Sequence, residues 1–239
     1  MNSIIHLLER IQEISSYTKI ISISGESGTG KTTLALQSSA YFLFKSTPSC
    51  CLWIQASELF PHKRLKSLYQ KNLMKTSILQ KNIFVTPKHH TFHNYEEQSK
   101  FIINLTRKII LPPHLKCIVI DNISHHLRHE ISNYFEVKMI TTLLDRFFEE
   151  QLFPLICFCQ RENIYLLLIH ESSYSPQLGR NQAFFSKLYN RINTITIELK
   201  NSPYTDLKIK ELKLTNQNKS NILYFTYKIS QEGLTIKEL

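Results

Sequence analysis

Apolar residues recur along this chain with two different periods, and the places where the period changes divide it into elements. In residues 3–15, Ile4, Leu7, Leu8, Ile11 and Ile14 fall at three- and four-residue spacing, which predicts a short amphipathic helix. The β-branched run at 20–24 predicts a strand, and a glycine-free helical pattern opens at Thr33. Further apolar runs predict strands at 50–54, 82–86, 116–120 and 164–169. Helical patterns cover 63–75, 95–110 and 134–161; Pro112 and Pro113 stop the second, and Pro154 interrupts the third. Strands alternating with helices in this way predict a parallel sheet with helices on both faces. From Arg191 the pattern turns to alternating strands at 192–199, 207–214 and 222–229, with polar turns at 201–203 and 216–221. These predict an antiparallel extension of the same sheet. The expected fold class is α/β, a mostly parallel sheet flanked by helices with antiparallel C-terminal strands, with residues 1–239 forming a single domain.

The chain has only five glycines, and three of them lie in the window from Gly25 to Gly30. The stretch Gly25, Glu26, Ser27, Gly28, Thr29, Gly30, Lys31, Thr32 matches the full phosphate-binding loop pattern, P-loop in short, in its strand-loop-helix context. Glycines let the backbone turn so that successive N–H groups point at phosphate oxygens, and the following helix adds the positive end of its dipole. Gly25 through Thr32, with Thr33 at the helix start, are the candidate nucleotide-binding residues. Lys31 is expected at the β- and γ-phosphates and Thr32 on Mg²⁺. Asp121 follows a buried run at the C-terminal end of a strand, where open α/β sheets bind ligands, and it is the candidate second Mg²⁺ ligand.

Composition narrows the setting. A length of 239 residues with 42% hydrophobic content suffices for one full core. With no signal peptide and no apolar run of about 18 residues, the chain is expected to be soluble, not secreted and without a membrane partner. Cys50, Cys51, Cys117, Cys157 and Cys159 sit in apolar runs without zinc-site spacing and read as reduced core residues. A formal charge of +10 suggests a polyanionic partner. No guanine-reading Asn-Lys-x-Asp tetrapeptide is present, and Arg161, Arg180 and Arg191 are too dispersed for the arginine-rich lid of a small-molecule phosphotransferase.

Residues 53–68, WIQASELFPHKRLKSL, resemble the corresponding region of the eukaryotic RecA/RadA-type recombinase paralogues, with Phe60-Pro61-His62-Lys63-Arg64-Leu65 as the specific feature. The resemblance continues through GESGTGKTTLALQ, CIVIDNIS, LRHE at 127–130, SPQLG at 175–179 and the ending YKISQEGLTIKEL. It implies a RecA-like P-loop NTPase core that binds ATP and Mg²⁺ in the nucleus. It further implies homologous recombination and double-strand-break repair on single-stranded or branched DNA, together with another recombinase paralogue and the main recombinase. Members usually carry a small helical domain before this core, and that domain is expected to be absent here. They also place a catalytic glutamate just after the second strand, where Ser57 stands and Glu58 follows one step later; on an extended segment that step reverses side-chain direction. Lys31 and Glu58 are the catalytic candidates, with weak hydrolysis expected. Glu171 stands where relatives often carry a γ-phosphate-sensing glutamine, and a carboxylate there needs a metal or cation beside it.

The segment 171–187, with Tyr174, Gly179, Phe184 and Phe185, is the candidate DNA contact, and Arg180 and Lys187 are its cations. His89, His90 and His93, and likewise His125, His126 and His129, have spacing that could gather imidazoles, but no cysteine accompanies them and they read as ordinary residues. Tyr69 with Lys66, Lys71 and Lys75 reads equally as a solvated helix face. Three function classes fit: an ATP-dependent recombination accessory, a nucleotide-stabilised protein adaptor, and a phosphotransferase.

Overall fold

The computed structural model describes residues 3–14, 18–45, 48–107, 111–175, 180–184, 186–189, 191–201, 209–216 and 222–238. The first helix, α1 (Ser3–Ile14), is the expected amphipathic one, with Leu7, Leu8 and Ile11 buried. Strand β1 (Ile20–Gly25) is buried along its whole length because it has a parallel neighbour on each side. That position buries even the polar Ser22 and Ser24, which alternate with Ile21 and Ile23. Helix α2 (Lys31–Lys45) and strand β2 (Cys50–Gln55) follow as expected.

The helix expected over 63–75 is two helices, α3 (His62–Leu68) and α4 (Leu73–Asn82). The break is made by Asn72, whose side chain accepts from the backbone N–H of Lys75 at 2.9 Å and so starts a new helix. Because α4 runs on to Asn82, strand β3 is Ile83–Thr86. Helix α5 (Tyr95–Leu105) ends before the expected 110, with Thr106 as its C-cap; 108–110 lie outside the described residues.

Strand β4 (Leu115–Asp121) leads into α6 (His125–Ile131), a helix the periodicity did not reveal. The expected helix over 134–161 starts later, as α7 (Val137–Phe147), and passes through a π-helical turn at Phe148–Leu152 into α8 (Phe153–Arg161). Pro154 lies in the first turn of α8, where its missing N–H costs little, and the widened turn before it absorbs the interruption.

Strand β5 (Tyr165–Ser175) runs well past the expected 169 and turns back as β6 (Arg180–Ala183), pairing antiparallel from Ser172 with Ala183 to Ser175 with Arg180. A short helix, α9 (Ser186–Tyr189), follows. The C-terminal strands are β7 (Ile195–Asn201), β8 (Lys210–Thr215), β9 (Ile222–Ser230) and β10 (Gly233–Glu238). Strand β7 runs parallel to β1, so the antiparallel part begins one strand later than the alternation suggested, at β7–β8. Strand β10 closes the edge through a turn at Gly233, whose φ of +113° favours glycine.

The sheet order is β10-β9-β8-β7-β1-β5-β4-β2-β3, with β6 paired to β5 beyond the sheet edge. Alternate residues of the central strands divide between two cores. Ile21, Ile23, Val119, Leu167 and Trp53 join α1 and α2, whereas Ile20, Ile118, Ile120, Leu166 and Leu168 face α5 to α8. Cys50, Cys51, Cys117 and Cys159 are buried as expected; Cys157 is exposed, because α8 covers the sheet with one face only. No described helix is long and apolar enough to cross a membrane.

Candidate functional site

The glycine-rich loop crosses from the end of β1 to the start of α2 at the C-terminal edge of the parallel strands, in the middle of the sheet. Its shape is set by the C-terminal strands. A Cβ on Gly25 would stand 2.5 Å from the Leu199 carbonyl oxygen, and one on Gly30, at φ +92°, would stand 2.9 Å from Ile229 Cδ1. Only glycine fits either position. The Tyr227 hydroxyl donates to the Thr29 carbonyl at 2.7 Å, and the Thr29 hydroxyl to the Glu26 carbonyl at 2.7 Å.

Lys31 folds over the loop, its Nζ donating to the carbonyls of Gly25 at 2.8 Å and Glu26 at 2.9 Å. Burial lowers its pKa, an effect opposed by Asp121, Glu171, Glu26 and Glu58. The first turn of α2 holds no acidic residue, so its unpaired N–H groups and positive dipole end face the loop uncompensated.

The Thr32 hydroxyl donates to Asp121 Oδ2 at 3.0 Å. Burial pushes the Asp121 carboxyl up to about 6; the Thr32 bond works against this, Glu58 adds to it and Lys31 opposes it. A hydroxyl and a buried carboxylate at this separation are hard oxygen donors suited to Mg²⁺, which takes few protein ligands besides water and phosphate. Together with Lys31 they border a cleft of about 630 Å³, within the usual range for small-molecule sites. The donor set and the glycine cradle therefore fit a magnesium nucleotide.

Strand β2 ends at Gln55 and the chain bends, which changes the expected direction of Glu58. Alternation holds only while the segment is extended. Glu58 borders the cleft with Lys31 and Asp121, whereas the Ser57 hydroxyl accepts from the Asn122 N–H at 3.3 Å. The Phe60-to-Leu65 string acts as a brace. Phe60 is buried edge-on against Trp53 at 5.2 Å between ring centroids, and its N–H donates to Gln55 Oε1 at 2.8 Å. Arg64 donates to the Thr33 hydroxyl at 3.1 Å and to the Ser230 and Gln231 carbonyls at 2.8 and 3.2 Å, joining α2 to the β9–β10 turn.

Glu171, within β5 where its pairing with β1 ends, receives from Arg128 the cation that its position requires. Asn122 Nδ2 and His125 Nδ1 each lie 3.0 Å from Oε1, and Arg128 Nη1 donates to Oε2 at 3.0 Å. Burial alone would raise its pKa, but these three partners hold it below the ordinary carboxylate value. Arg64 and Arg128 both border the cleft and were not singled out from the sequence. The available signal for each was its place inside a resembling string. Neighbouring His170 is wholly buried, and burial drives its pKa down to about 3, so it is a neutral ring set edge-on against Tyr189.

Arg180 lies on β6 and Lys187 on α9, with their side chains outside the described part; Gly179 and Phe185 also lie outside the described residues. His125 is committed to Glu171, and His126 Nε2 lies 3.0 Å from the Ala56 carbonyl. His90 and His93 meet Glu97, not His89, with ligand atoms within 4.8 Å of one another. That carboxylate already takes the His93 N–H at 2.9 Å while Asn94 caps the Glu97 N–H, an arrangement that serves the start of α5. Tyr69 packs against the core and Lys71 pairs with Glu232, so no stacking surface forms there.

No family model matches this chain. In sequence it is 34% identical over 143 residues to the DNA repair protein RAD57 of Saccharomyces cerevisiae, a match covering 55% of this chain and 30% of that protein. This chain thus matches less than a third of the relative's length. In structure it resembles the RadB recombinase, with a TM-score of 0.63 at 17% identity over 90% of this chain and 89% of that one. The fold around this cleft is the RecA-like one: a mostly parallel sheet flanked by helices, extended by antiparallel C-terminal strands.

Proposed function

We propose that residues 1–239 form a single ATP-binding core of a recombinase paralogue serving homologous recombination and double-strand-break repair in the nucleus. The observation that carries this reading is the convergence of Lys31 with the Thr32–Asp121 pair, 3.0 Å apart, beside a glycine loop on a RecA-like sheet. Lys31 would hold the phosphates, Thr32 and Asp121 the Mg²⁺, and the backbone from Gly25 to Thr33 the phosphate oxygens. Bound Mg²⁺ would neutralise phosphate charge; Glu58, beside the same groups, would orient water, and hydrolysis is slow.

The repair role rests on the likeness to a DNA repair protein and on the formal charge of +10. Within the paralogues, the Phe60-to-Leu65 string favours the X-ray-repair cross-complementing member conventionally numbered third. Another paralogue, and the main recombinase, are the protein partners, with single-stranded or branched DNA as the nucleic acid.

Thermal denaturation with and without Mg²⁺-ATP tests the nucleotide. Ligand at about 100 times its Kd adds about 2.7 kcal/mol, which raises the Tm of a chain this size by roughly 5 to 10 °C. No shift at millimolar nucleotide sinks the reading. Salt-titrated binding of single-stranded DNA separates a DNA-acting protein from a pure protein adaptor.

A further inference from the structure

We propose that Arg128 is the residue by which this cleft distinguishes a nucleoside triphosphate from a diphosphate. The inference rests on the nucleotide-binding reading above. Arg128 stands on α6, just beyond the end of β4, and its side chain borders the same cleft as Lys31 and Thr32.

Two contacts fix where its charge sits. Nη1 donates to Glu171 Oε2 at 3.0 Å, and the guanidinium carbon lies 5.5 Å from the centre of the Phe184 ring. Phe184 is itself tied to the same residue, its N–H donating to the Glu171 carbonyl at 2.9 Å. The ion pair and the ring face bias this side chain, which stays 53% exposed, towards the cleft before any ligand arrives, so less freedom is lost on binding.

The charges around the cleft then assign the task. The glycine loop and Lys31 grip phosphates that ATP and ADP share. Glu171 lies close enough to favour the charged form of Lys31, so its negative charge is felt where the phosphate chain runs. Its Oε1 is occupied by Asn122 and His125 and its Oε2 by Arg128, which leaves it a positioning group. A third phosphate brings added negative charge towards that carboxylate and is repelled unless a cation stands between them. Arg128 is the cation bonded there. A guanidinium has five donors in a planar fork, so it keeps Glu171 while offering others to a phosphoryl group. A diphosphate lacks the group that would use them, so the arginine adds affinity for the triphosphate alone.

Calorimetric titration of the full chain with Mg²⁺-ADP and with Mg²⁺ and a non-hydrolysable ATP analogue provides the test. The wild type is expected to favour the triphosphate about tenfold or more. Arg128→Ala should bring that ratio to near one by weakening the triphosphate only, and Arg128→Lys should restore part of it. Should Arg128→Ala fail to fold, Arg128→Gln keeps part of the bulk and a neutral amide donor group without the charge, and is expected to lose the preference in the same way. A ratio of one in the wild type, an unchanged ratio in the variants, or equal loss of both nucleotides overturns the proposal. Lys31→Ala serves as the independent control. It should weaken both nucleotides, and its failure to do so counts against the nucleotide site itself.

Discussion

The Thr32 hydroxyl and Asp121 Oδ2 meet at 3.0 Å although 89 positions separate them in the chain. The contact joins the start of α2 to the end of β4, and it holds Asp121 in a place where burial works against its charge. Asp121→Asn removes that charge and keeps an acceptor. The raised folded-state pKa of about 6 means that the folded protein binds the proton more tightly than the unfolded chain between about pH 4 and 6. Ligand-free stability from this group therefore falls as pH rises through that window. Asp121→Asn should raise the ligand-free Tm at pH 7.5, by on the order of 1 to 3 kcal/mol in stability, with a smaller gain at pH 5. It should also abolish the Mg²⁺ dependence of nucleotide binding. A ligand-free Tm that drops at pH 7.5 counts against a buried charge awaiting a metal.

Lys31→Ala takes away the ammonium that now rests on the Gly25 and Glu26 carbonyls. ATP affinity should fall at least tenfold, a loss of about 1.4 kcal/mol, with little change in the fold by circular dichroism. Thr32→Ala should show its loss mainly when Mg²⁺ is present.

Glu58 borders the cleft and the Ser57 hydroxyl accepts from the Asn122 N–H, so on the proposed reading Glu58 would be the carboxylate that orients water. Glu58→Gln should lower any single-turnover hydrolysis by roughly 10² or more while leaving ATP affinity within about twofold. Ser57→Glu should not rescue it. Rescue by Ser57→Glu would transfer the role to position 57.

Tyr227→Phe leaves the Thr29 carbonyl without the donor that holds the loop at 2.7 Å. The cost should be about 1 to 2 kcal/mol, or a few degrees in Tm, and nucleotide affinity should fall with it. Lost stability at unchanged affinity would mean that the C-terminal strands support the fold without shaping the loop.

Arg180 lies on strand β6, which pairs with β5, and Lys187 lies on α9. If they meet phosphates, replacing both by alanine should flatten the dependence of single-stranded DNA affinity on salt, by close to one unit of log-log slope per cation. An unchanged slope removes them from the interface.

By itself the sequence determined the elements whose physics is local. The phosphate loop was legible because Gly25, Gly28 and Gly30 meet backbone demands few other residues satisfy, β2 and β4 because burial on both faces enforces apolar runs, and β1 from its β-branched isoleucines. Asp121 was legible from its place at the end of such a run. Local reading failed where a side chain or backbone answers to distant partners. The split between α3 and α4 depends on the Asn72 cap, and the length of β5 depends on its pairing with β6 beyond the sheet. Glu58 turned towards the cleft because the strand ended before it, which alternation could not foresee. Only tertiary structure brought Arg64 onto Thr33, Tyr227 onto Thr29 and Arg128 onto Glu171. In each pair one partner lies on a different element, so the charge or donor that completes the cleft carries no periodicity of its own. Its meaning comes from the packing of the sheet and its flanking helices.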